Sequence, residues 1–139
     1  MDQLELRTNM VLDFLKEENI NVTDLDIISA RSGALPNMKG GAYRINDLMI
    51  DILENRPIFQ HAVNLSSIIA YCIASPLGIP AIIYDSEMMD EFEPYAKVTG
   101  LEGIERIPGC HALNIKRVAR EVADKLGAPL ESMNLIVVH

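Results

Sequence analysis

The 139 residues carry 12 Lys and Arg against 20 Asp and Glu, for a formal charge of −8, and 49% of them are apolar. That acidity excludes the clustered basic footprint with which proteins neutralise nucleic-acid phosphates, and the apolar fraction excludes a disordered chain. The length is that of a single domain, and the longest apolar runs, Leu65 to Ala74 and Ile79 to Tyr84, are broken by Ser, Cys or Pro and fall short of the roughly 20 residues that span a bilayer.

The first residues alternate charge with Leu instead of presenting a basic start and an apolar run, so a cytoplasmic protein without a membrane partner is expected. Cys72 and Cys110 lack CxxC or His-rich spacing and read as free thiols in a reducing compartment. The first predicted element is an amphipathic helix over residues 3–18, with Leu4, Val11, Phe14 and Leu15 on one face and Arg7, Asp13, Lys16 and Glu17 filling most of the remainder. Leu25 to Ala30 reads as a buried strand that stops at Arg31-Ser32-Gly33 and opens a loop carrying Pro36 and Gly40-Gly41.

Asn46 can cap a helix whose apolar positions Leu48, Met49, Ile52 and Leu53 recur at helical spacing, with Asn55 and Pro57 closing it. A further helix runs from Asn64 to Ser75. Leu77-Gly78-Ile79-Pro80 and Leu126-Gly127-Ala128-Pro129 share one ending, in which Gly takes the left-handed C-cap and Pro forbids more helix. Each leads into an apolar run that reads as a strand, 81–84 and 135–138. Between them the pattern predicts an acidic, solvated helix over 86–97 and a helix over 112–126 with Ile115, Val118, Ala119 and Val122 inward. Three apolar strands separated by helices imply an α/β layered domain with a mainly parallel sheet.

Each predicted strand terminates in a polar residue: Arg31, Asp85 and His139. Ligands of open α/β sheets bind at the carboxyl ends of strands, so these three could form a site for an anionic substrate; a strand also ends in a polar residue simply because the chain re-enters water. His61 and His111 stand at helix entries, where an imidazole and free N–H groups can face an anion together, or where the ring merely caps the helix. The histidine spacing supports no metal site. Gly40-Gly41 lacks the context of a phosphate loop, and Ser66-Ser67 lacks a nucleophile elbow.

Taken in order, Ser29-Ala30-Arg31-Ser32-Gly33-Ala34-Leu35, Gly40-Gly41-Ala42-Tyr43-Arg44-Ile45-Asn46, His61-Ala62-Val63-Asn64-Leu65, Cys110-His111-Ala112-Leu113-Asn114 and Asn134-Leu135-Ile136-Val137-Val138-His139 resemble successive blocks of butyrate kinases. The resemblance covers essentially the whole chain. It implies a phosphotransferase that moves the γ-phosphoryl of MgATP to a short-chain carboxylate, butyrate or a branched acid, giving an acyl phosphate. By the same resemblance Arg31 would hold the substrate carboxylate with His61 and Asn64 beside it, His111 would stabilise the transferring phosphoryl group, Asp85 would be the catalytic aspartate, and His139 would open a nucleotide-phosphate loop. An ionised carboxylate has no proton to lose, so the role expected of Asp85 is to orient an arginine or a metal-bound water.

The resemblance further implies a partial ribonuclease-H-like, actin-like ATPase domain over residues 1–133, with 134–139 as the first strand of a second domain and with the first antiparallel strands missing. The family's first glycine-rich loop, its later one, and most ligands of ATP and Mg2+ fall outside the matching blocks. A truncated and inactive kinase is therefore expected. The same chain could instead be a non-catalytic α/β remnant or binding module, or one half of a split kinase complemented by another chain. An uncovered sheet edge would favour self-association. Ser32 stands where the family often has Gly, and Ser66-Ser67 where it tends to be Gly-rich.

Overall fold

The computed structural model describes residues 3–36, 38–109 and 111–138. Its helices are α1 (Leu4–Glu17), α2 (Asp47–Asn55), α3 (Asn64–Leu77) and α4 (Ala112–Leu126), and its strands are β1 (Ile28–Ala30), β2 (Ala42–Arg44) and β3 (Ala81–Tyr84). The strands form one mixed sheet in the order β1-β3-β2. β1 runs parallel to β3 with Ser29 opposite Ile82, and β2 runs antiparallel to β3 with Tyr43 opposite Ile83. The molecule is thus a small mixed α/β layer.

Local chemistry explains most boundaries. The Asn46 side chain accepts the Met49 N–H at 3.0 Å and starts α2. Gly78 and Gly127 end α3 and α4 at φ +69 and +64, a region where a Cβ would crowd the following carbonyl. α3 packs on β1 and β3, and α1 and α2 pack on α3. The core joins Leu53 of α2, Ile68, Ala70 and Ala74 of α3, Ala81 and Ile83 of β3, and Leu35, Met38 and Ile45 from the chain between β1 and α2.

Three expectations change. The sheet is mixed, because β2 lies inside the segment read as a loop; it is three residues long, too short for alternation to stand out beside Gly40-Gly41. Residues 86–97 hold no α-helix, only a 3₁₀ turn at Pro94–Lys97. There Ser86 Oγ accepts the Met88 N–H at 3.3 Å, the Asp90 carboxylate accepts the Phe92 N–H at 3.2 Å, and the Asp90 N–H donates to the Met38 carbonyl at 2.7 Å. Side chains and a distant carbonyl thereby take backbone groups a helix would need. Finally, 135–138 pairs with no strand among the described residues, and Ile136 and Val138 are 94% and 92% exposed. His139 and Cys110 lie outside the described residues. No described helix is long and apolar enough to cross a membrane.

Candidate functional site

Because β1 and β3 are adjacent and parallel, the residues that follow them emerge at the same edge of the sheet. Arg31 leaves β1 and Asp85 leaves β3 at that edge. The N-terminal end of α3 reaches it too, since the Ser66 hydroxyl donates to the Ser32 carbonyl. Between these segments and the start of α4 lies a cavity of about 870 Å³. Its polar lining is Arg31, His61, Ser66, Glu87 and His111, and its apolar wall includes Ile58, Phe59, Val63, Met88 and Ile107. A second depression of about 310 Å³ shares Arg31, Glu87 and His111 and adds Asp85, Asn114 and Arg117. Arg31, Glu87 and His111 therefore stand where the two spaces meet.

The backbone around this site is held in uncommon conformations. Of the four described non-glycine residues with positive φ, three are here: Ser32 (+120), Asp85 (+45) and His111 (+46). Such geometry costs about 1–3 kcal/mol per residue and persists only where the surroundings enforce it. At Ser32 the enforcing contacts are visible. Its hydroxyl lies 2.9 Å from Ser86 Oγ and 3.0 Å from the Gly33 carbonyl, and both serines are buried. A serine thus occupies a conformation suited to glycine, immediately beside the exposed guanidinium of Arg31.

Asp85 is 5% exposed, and both carboxylate oxygens are occupied: the Gly41 N–H donates to one at 2.8 Å, and the Lys116 ammonium approaches the other at 3.2 Å. Lys116 also donates to Glu91 at 2.7 Å. Burial works to lower the Lys116 pKa, but its bonds to Glu91 and Asp85 outweigh that and hold it above the ordinary lysine value. Asp85 accordingly pairs with a lysine and a backbone amide. Arg31 stands instead beside Glu87, its Nε 4.0 Å from Oε2.

His61 Nδ1 accepts the Val63 N–H at 3.1 Å, so the neutral ring carries its proton on Nε2. His111 occupies the N-cap position of α4. Asn64 is buried, with Oδ1 accepting the Ala34 N–H at 2.9 Å and Nδ2 donating to the Phe59 carbonyl at 3.0 Å. It ties the loop after β1 to the segment before α3 and lines a neighbouring depression with His61, away from Arg31. His139 lies outside the described residues. Arg31, His61 and His111 are brought together in one cavity, and Asp85 joins them across the shared wall.

Sequence reasoning did not single out Glu87 and Lys116. Glu87 stands two residues past the end of the strand-terminal Asp85, inside a run that reads as a solvated acidic helix. Lys116 could have been found, since it sits four residues after Ala112 and so shares the inward face of α4. No protein-family model matches this chain.

Proposed function

We propose that this cavity is the acyl side of a short-chain carboxylate kinase of the butyrate-kinase type, carried on part of a ribonuclease-H-like domain. The observation that carries the reading is the gathering of one guanidinium and two imidazoles, Arg31, His61 and His111, against the apolar wall of Ile58, Phe59, Val63 and Met88. A guanidinium can grip a carboxylate through two parallel hydrogen bonds, and the apolar wall takes a short alkyl chain. Imidazole donors would then stabilise the equatorial oxygens of a phosphoryl group in line with the acid, a reaction that rests on positioning and electrostatics. Asp85, occupied by Gly41 and Lys116, positions the start of α4 and hence His111.

ATP and Mg2+ complete such a reaction. Among the described residues no group of three His, Cys, Asp or Glu side chains could hold a metal ion, and the 139 residues contain neither GxGxxG nor GxxxxGK[ST]. Mg2+ is usually held by one or two carboxylates together with phosphate oxygens, so the described residues leave the metal and the triphosphate unassigned. A second reading, a carboxylate-binding module without turnover or the acceptor half of a split kinase, needs only the cavity around Arg31.

Titrating butyrate into the isotope-labelled chain while recording amide spectra tests the shared core of both readings. Shifts confined to 31–33, 61–66 and 87–88, abolished by Arg31→Gln, are expected; butyrate at tens of millimolar leaving those amides unmoved would sink them. Hydroxylamine trapping of acyl phosphate, with MgATP and a chain carrying glycine-rich phosphate loops, separates the two. Hydroxamate supports the kinase, and binding without hydroxamate supports the module.

A further inference from the structure

Glu87 is out of place in a site for a plain alkanoate. Its side chain is only 12% exposed, it lines both the large cavity and the adjoining depression, and it sits beside the very guanidinium that would hold the substrate. The other carboxylates of this edge are occupied, Asp85 by Gly41 and Lys116 and Glu91 by Lys116. Glu87 has Arg31 as an ion-pair neighbour, with Nε 4.0 Å from Oε2. That separation exceeds the 2.7–3.2 Å of a formed N–H···O bond. An ionised carboxylate has about four acceptor positions, so Glu87, which lines both spaces, can accept from a ligand's donor as well as from the protein.

We infer that the cavity takes a short-chain α-amino acid with an apolar side chain, its carboxylate on Arg31 and its ammonium on Glu87. This rests on the reading of Arg31 as the carboxylate anchor and narrows the class of acid. An alkanoate of the same skeleton brings a second negative charge beside Glu87 and no donor for it. The zwitterion carries its ammonium and its carboxylate on one carbon, a spacing that suits a cation and an anion whose nearest atoms are 4.0 Å apart, and each protein group gains a charge-assisted hydrogen bond. The aliphatic side chain then lies against the wall formed by Ile58, Phe59, Val63 and Met88.

L-valine and isovalerate share a carbon skeleton and differ in the ammonium group, so calorimetric titration of the intact chain with each is the test. L-valine binding at least about tenfold tighter than isovalerate is expected, the ratio one charge-assisted hydrogen bond supports. Glu87→Gln, nearly identical in shape, is expected to erase the preference, and Glu87→Lys to reverse it. Isovalerate binding as tightly as L-valine to the unaltered chain overturns the inference, as does a preference that survives Glu87→Gln. If isovalerate binds, is lost in Arg31→Gln, and shows no disadvantage against L-valine, only the role of Glu87 fails. If neither ligand binds, Arg31 as carboxylate anchor fails with it.

Discussion

Asp85 combines burial, a left-handed backbone and two charge-assisted contacts in one residue. Asparagine keeps an acceptor for the Gly41 N–H and tolerates positive φ, so Asp85→Asn should destabilise by about 1 kcal/mol. Alanine strands the amide and adds the cost of a left-handed Cβ, so Asp85→Ala should lose about 2–4 kcal/mol. Urea unfolding at neutral pH measures both, and equal losses would show that the hydrogen bond contributes little. Cys72 supplies a second residue-level test. Partial burial, then the nearby Glu54 carboxylate, raise its thiol pKa, so less of it is thiolate at neutral pH. Alkylation of Cys72, followed by mass spectrometry of its peptide, should be slower than that of free cysteine at pH 7 and faster in Glu54→Gln.

At the scale of elements, the clearest sequence signals were those with a local mechanism: Asn46 opening α2, Gly78 and Gly127 closing α3 and α4, and the apolar run of β3. At Gly127 an added Cβ would meet nothing within 4 Å, so Gly127→Ala isolates the conformational cost and should destabilise by about 1 kcal/mol. Thermal unfolding followed by circular dichroism reads it. Acidic residues at helical spacing over 86–97 say nothing of the Met38 carbonyl, which arrives from another part of the chain. Asp90 anchors this segment. Its hydrogen bond from Lys97 holds its pKa below the ordinary carboxylate value despite burial. The pair's contribution is therefore present above the unfolded pKa of about 3.9 and lost as pH falls through the lower folded value. Hydrogen exchange across 86–97 should accelerate as the solution is taken from pH 5 to pH 2, after correction for intrinsic rates, and Asp90→Asn should make it fast at both.

At the scale of the whole molecule, the accessible surface is 9642 Å², whereas a compact monomer of 15.4 kDa is expected to expose about 7,200 Å². Part of the excess is apolar. Leu6, Met10 and Phe14 on α1, Val118, Val122 and Leu126 on α4, and Ile136 and Val138 all face solvent. β1 and β2 are both sheet edges, which adds unpaired backbone groups to that surface. Concentration-dependent association should follow, with the weight-average mass in sedimentation equilibrium rising between micromolar and hundred-micromolar protein. Ile136→Lys combined with Val138→Lys should lower it, and a constant monomer mass at every concentration would contradict this reading.

The sequence by itself determined α1 to α4, the central strand and the polar residues that follow β1 and β3, because caps, glycine C-caps and apolar periodicity act over a few residues. It could place Arg31 and Asp85 after strands, but their meeting depended on β1 and β3 becoming parallel neighbours, a pairing across about fifty residues that no local pattern encodes. Tertiary structure alone decided that Asp85 pairs with Lys116, that Asn64 braces the loop after β1, and that Glu87 stands beside Arg31. Hydrogen-bond satisfaction is a property of what surrounds a group in space, and for these three residues those surroundings come from segments distant in the chain.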